Sequence, residues 1–242
     1  MKTKKTGKTM RVAGLLLALV LVTSCFVGGT FAKYVTSGGG QDHARVAKFG
    51  VTVTAAGDVF AKEYDAKDPT VQDYNGDVIA KSVISSNEDK LVAPGTKMDN
   101  ALTVSVTGKP EVAVEVTYEA HVALAENLKE SQWKDKDGNY YCPLIITVNG
   151  TPYKGTDYTS ADDFAKAVAK AITDCSAKYG ANTDLATTAS KGVAISWEWP
   201  FEDAATGAKQ TDVKDTYLGD QAAAGNAATI GIAVAATVTQ ID

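Results

Sequence analysis

Apolar and polar residues alternate with a period of two through much of this chain, the pattern of strands that bury one face. Ala47, Phe49, Val51, Val53 and Ala55 share a face opposite Lys48, Thr52 and Thr54. Leu102, Val104 and Val106 make a second run. The longest sets Val112, Val114, Val116, Tyr118, Ala120, Val122 and Leu124 against Glu115, Thr117, Glu119 and His121. Tyr140–Val148 is almost continuously apolar and predicts a central strand, which a type I′ turn at Asn149-Gly150 reverses into Thr151-Pro152-Tyr153. Val193, Ile195, Trp197, Trp199 and Phe201 predict a strand with an aromatic core face. Ile230, Ile232, Val234, Ala236 and Val238 predict a last strand of small and branched residues. Weaker strands at Val59–Tyr64 and Val78–Ser85 fall in a loop-rich stretch.

One segment has helical spacing instead. Ser160 can cap, Asp163 stands three residues on, and Phe164, Val168, Ala171, Ile172 and Cys175 follow before Gly180, predicting one inserted helix over about 160–179. After the aromatic strand a Gly/Ala/Asp-rich loop leads past Asp212–Gly219 to the last strand. About eight strands, uneven loops and one helix predict a mainly β chain, a two-sheet sandwich in a single domain over residues 44–242. No internal repeat at a fixed period is visible.

The first 32 residues break this pattern. Lys2, Lys4, Lys5, Lys8 and Arg11 precede an apolar run from Val12 to Val22, and Thr30-Phe31-Ala32 supplies small residues at the positions a signal peptidase accepts. The expectation is a signal peptide over 1–32, forming a signal helix, cleaved between Ala32 and Lys33. Two other readings stay open: an uncut anchor, although Thr23, Ser24, Gly28, Gly29 and Thr30 interrupt the span, and acylation at Cys25 in Val22-Thr23-Ser24-Cys25. Beyond the junction come the extended tag Lys33-Tyr34-Val35-Thr36-Ser37 and the hinge Gly38-Gly39-Gly40, within a flexible extension over 33–43.

These residues carry a resemblance. Val27-Gly28-Gly29-Thr30-Phe31-Ala32-Lys33-Tyr34 and Ala47-Lys48-Phe49-Gly50-Val51-Thr52-Val53 are similar to the secreted TasA/camelysin family, whose special signal peptide is read by a SipW-type peptidase. Ala93-Pro94-Gly95-Thr96, Gly108–Val114, Trp197–Glu202, Asp215–Gly219 and Val238–Asp242 also look like segments of that family, while residues 57–90 and 125–190 carry little of it. The resemblance implies a jelly roll and a secreted fibre subunit of a biofilm matrix or cell surface. Its expected partners are further copies of itself, the SipW-type peptidase and an accessory matrix protein. The tag is then a donor strand for a neighbour's sheet edge, with disorder as the plain alternative.

Charge agrees with export and against nucleic acid. Losing the five basic residues of the leader takes the formal net charge from −5 to −10, the wrong sign for neutralising phosphates. Cys142 and Cys175 remain once Cys25 leaves with the leader, and offer either one disulfide or two buried thiols.

The search for chemistry returns mostly negatives. His43 and His121 are the only histidines, and neither stands in a His-Glu-x-x-His pair, so the metallopeptidase name borne by part of the family has no visible ligand set here. Glu119 with His121 on one strand face is a weak metal candidate, better read as solvated surface. Asp135, Asp137 and Asn139 imitate the opening of a calcium loop, but the glycine stands early and the twelfth position has no acid. No Gly-x-Ser-x-Gly elbow occurs, and neither a phosphate-binding glycine loop nor any cofactor motif is present. An enzyme is disfavoured. The rivals to a structural protein are a camelysin-like metallopeptidase and a monomeric surface adhesin or ligand-binding domain.

Overall fold

The computed structural model describes residues 44–68, 70–125, 131–186, 192–201 and 208–242, the last with side chains from 212 onward. The leader, the Ala32/Lys33 junction, the Lys33–Ser37 tag, the Gly38–Gly40 hinge and His43 lie outside the described residues. Val46–Asp242 forms one compact unit.

Its strands are β1 (Val51–Ala56), β2 (Glu63–Asp65), β3 (Lys81–Ile84), β4 (Lys97–Gly108), β5 (Val114–Ala123), β6 (Ile145–Val148), β7 (Thr151–Lys154), β8 (Ala177–Tyr179), β9 (Val193–Glu198) and β10 (Gly231–Gln240). Two helices accompany them, α1 (Ala161–Thr173) and α2 (Ala208–Ala223). All pairing is antiparallel, in a five-stranded sheet of order β1-β4-β9-β6-β7, a three-stranded sheet β10-β5-β8 and the small hairpin β2-β3. The chain is therefore mainly β, as its alternation predicts.

Both larger sheets turn their apolar rows into one core. Val104 and Val106 of β4, Ile146 and Val148 of β6, and Val193, Ile195 and Trp197 of β9 are buried there with Val114, Val116 and Tyr118 of β5. Strand alternation delivers each of these sets to one face. Helix α1 adds Phe164, Val168 and Ile172 and packs on β5. Its cap is the predicted one, with the Asp163 N–H donating to Ser160 Oγ at 3.1 Å. The β6–β7 turn also follows its residues: Asn149 and Gly150 have φ of 47° and 83°, the pair of positive values that a type I′ turn requires.

Several elements differ from the sequence expectation, each for a local reason. Helix α1 stops at Thr173, and Ala177–Tyr179 instead pairs with Val114–Val116 as β8. Strand β6 starts only at Ile145, because buried Tyr141 donates its N–H to the Trp133 carbonyl and holds the preceding segment off the ladder. Strands β2 and β3 are short because Tyr64 serves as an anchor: its hydroxyl donates to the Leu91 carbonyl at 2.7 Å and accepts from the Ala61 N–H at 2.9 Å. Phe201, expected in the core, is 57% exposed. The ladder ends at Glu198 and Pro200 cannot extend it, so the Phe201 ring comes to lie over Gly95, whose missing side chain leaves the room.

Helix α2 stands where the sequence pattern predicts a loop. Asp215 and Leu218 are buried, with Lys214, Tyr217 and Gln221 half-buried beside them. That is helical spacing, but the stripe is mostly polar, so no hydrophobic period announces it.

Candidate functional site

An antiparallel sheet has two outer strands whose backbone groups point at solvent, and folded proteins guard them with short strands, prolines, charges or bulges. Four strands hold these positions in the two larger sheets: β1 and β7, β10 and β8. Two are guarded. Strand β7 has four residues, among them Pro152 and Lys154. Strand β8 has three, with Lys178 at its centre, 3.8 Å from Glu115 of β5.

The other two are open, and β1 and β10 approach one another on the same side of the unit. Strand β1, Val-Thr-Val-Thr-Ala-Ala, has no charge, and Thr52–Ala56 are exposed on both faces. Its core-directed row is thinly covered: Phe49 just ahead of it and Val53 within it are 41% and 43% exposed. Strand β10 is ten residues long without charge or proline, and its Ile232, Val234, Ala236 and Val238 are only half-buried. Among the described residues nothing pairs with the outer edge of either strand. Among the described residues, this side is where the two sheets lack covering.

The approach to β1 is held firmly. The Lys48 carbonyl accepts from the Glu111 N–H at 2.8 Å, while the Lys48 N–H donates to Glu111 Oε2 at 2.8 Å. At the same end of the β1–β4 pair Gly108, with φ of 122°, lets the backbone of Gly50 close in where a Cβ would lie 2.2 Å from its carbonyl oxygen. The edge is therefore preformed.

The residues considered for chemistry are not brought together. Glu119 and His121 sit exposed on β5, opposite Ala235 and Ala233 of β10. No group of three or more His, Cys, Asp or Glu residues that could hold a metal occurs among the described residues. Asp135, Asp137 and Asn139 form a closed turn in which Asp135 Oδ1 accepts the Asp137 and Asn139 N–H groups at 3.0 Å each.

The cysteines stand as two separate thiols, not as a disulfide. Cys142 is fully buried beside Gly155, which has no side chain where a Cβ would come within 2.9 Å of Sγ. Burial pushes this thiol up to about 12. Cys175 is half-buried at the end of α1, where its Sγ accepts from Asn149 Nδ2 and donates to the Ala171 carbonyl, both at 3.3 Å. Trp197 and Trp199 are core residues. Trp197 gives its indole N–H to the Val59 carbonyl, and Trp199 gives its own to Asp215 Oδ2 at 3.2 Å.

Asp215, singled out in the sequence only as part of a segment of family resemblance, belongs to a cluster whose partners lie far apart along the chain. It also accepts the Tyr141 hydroxyl at 2.8 Å, and its neighbour Lys214 reaches buried Asp135 at 3.3 Å and stands over the Tyr141 ring. These bonds tie α2 to the core through Tyr141, Trp199 and Asp135. It is a structural cluster. Comparison with protein-family models, curated proteins and solved structures finds no match.

Proposed function

We propose that this protein is a secreted structural subunit of an extracellular matrix or cell surface, a jelly-roll-like sandwich that builds fibres by strand addition. The observation that carries this reading is the β1 edge: preformed, uncharged, exposed on both faces, with Phe49 and Val53 uncovered. The five-residue tag Lys33-Tyr34-Val35-Thr36-Ser37, rich in strand-forming residues, is long enough to pair along β1 of another copy, and Gly38-Gly39-Gly40 frees it to reach there. Each copy then gives one strand and receives one, a head-to-tail contact that does not close and so grows a filament. The family resemblance at the leader junction and in the β1 segment supports the same role, with a SipW-type peptidase releasing the tag.

The test compares three forms of the protein secreted through its own leader: the natural chain, one lacking Lys33–Ser37, and Val53→Lys. Electron microscopy and light scattering are expected to show filaments from the first and monomeric or small species from the other two. Filaments that survive both changes, or a natural chain that stays small at every concentration, would overturn the reading. Stoichiometric zinc with caseinolytic activity in that second case would point to the peptidase instead.

A further inference from the structure

We infer that β10 is a self-pairing edge, through which two copies of this chain join antiparallel about a two-fold axis and merge their three-stranded sheets into one of six strands. The contact differs from the one proposed at β1, lies in the other sheet and does not need the tag.

The first support is the regularity of β10. All ten of its residues pair with β5, from Gly231 opposite Ala123 to Gln240 opposite Val114, without a register shift. Shifts do occur in β2–β3 and in β4–β9. A bulge would twist the edge away from a partner, and β10 has none. It also lacks each of the other guards, being long and free of proline and charge.

The second support is self-complementarity. Antiparallel pairing of a strand with its own copy is what a two-fold axis produces. An axis at Ala235 sets Ala235 against itself, Val234 against Ala236, Ala233 against Thr237 and Ile232 against Val238, so small residues meet on the outer face and aliphatic residues on the inner one. Half-buried Ile232, Val234 and Val238 would gain a second apolar row as cover. Like charges opposite one another are what usually forbids such a contact, and here no charged residue lies between Gly231 and Gln240. Copies carrying net negative charge are repelled over most of their surface, so an uncharged edge is the natural place for close approach. With head-to-tail growth along β1, this contact makes filaments run in pairs.

The test uses chain secreted through its own leader and carrying Val53→Lys, so that filament growth does not mask smaller species. Sedimentation is expected to show a concentration-dependent doubling of mass, and hydrogen exchange to show alternate β10 amides gaining protection as the dimer fills. Adding Ala235→Lys places lysine against lysine and is expected to return the monomer. Mixing that form with the matching Ala235→Glu form is expected to restore the doubled mass, which a misfolded variant could not do. A Val53→Lys chain that stays monomeric at all concentrations, or a dimer indifferent to Ala235→Lys, overturns the inference. So does loss of filaments, rather than of their pairing, when Ala235→Lys stands alone in the natural chain, because β10 would then be the edge the tag uses.

Discussion

At the residue scale the most consequential side chain outside the edges is Asp215, a carboxylate buried against Tyr141 and Trp199. Burial raises its pKa above the usual value; the hydrogen bonds from Tyr141 and Trp199 pull the other way without cancelling it, and nearby Asp212 adds to the rise. An acid held above its unfolded value binds its proton more tightly when folded. Its contribution to stability is therefore full below the unfolded pKa and is lost as pH rises through the folded one. Asp215→Asn removes that dependence. Urea midpoints of the natural chain and the variant are expected to shift in the natural chain's favour as pH is lowered from neutral toward 4. Tyr141→Phe deletes one of the two donors to a buried carboxylate and is expected to cost about 2 kcal/mol at neutral pH, read from the same titrations. The thiols give a second test. Of Cys142 and Cys175, alkylation of the native protein near pH 8 is expected at Cys175 alone, since Cys142 is enclosed and its thiol is pushed up to about 12. Equal labelling of both before unfolding would contradict the packing around Gly155.

At the element scale α1 is a helix whose local chemistry and tertiary burial agree. Ser160 caps it, and Phe164, Val168 and Ile172 seat it on the core. Ser160→Ala is expected to lower stability by about 1 kcal/mol while leaving the fold intact, measurable by thermal or urea unfolding. That agreement is why α1 was legible in the sequence, as were β5 with its long alternation and the Asn149-Gly150 turn. The misses share one cause, which is that distant partners chose the structure. β8 is a strand because β5 offers Val114–Val116 as a ladder. α2 is a helix with a polar stripe because Tyr141, Trp199 and Asp135 lie ready to receive Asp215 and Lys214. Phe201 leaves the core because the β9 ladder ends before it. The candidate site divides in the same way. The alternation of Val51, Val53 and Ala55 announces a strand, but that β1 is an outer strand depends on its pairing with Thr103–Gly108 of β4, and no local pattern encodes that.

At the scale of the whole molecule, the open edges of β1 and β10 are on one side, while β7 and β8 are guarded by brevity, Pro152, Lys154 and Lys178. In the proposed assembly, contacts between copies fall where neither open strand bears charge, while the chain as a whole is net acidic. Charge then controls the rate of assembly more than its geometry. A net charge of −5, or −10 once the five basic residues of the leader are gone, makes an encounter between copies unfavourable once they come within about a screening length of one another. That length falls from about 30 Å at 0.01 M salt to about 8 Å at 0.15 M. Uncharged edges feel no ion pair that salt could weaken, so added salt removes only the repulsion. Light-scattering growth curves of the purified protein are expected to show a shorter lag and faster rise as sodium chloride goes from 0.01 to 0.15 M at constant pH. The same acceleration is expected on lowering pH toward the pI, about 5.1 for the full sequence and lower without the leader's basic residues, where the repulsion fades without added ions. Assembly that slows with salt would mean that attraction between opposite charges drives the contact, and would shift attention from β1 and β10 to charged positions such as Lys48 and Glu111.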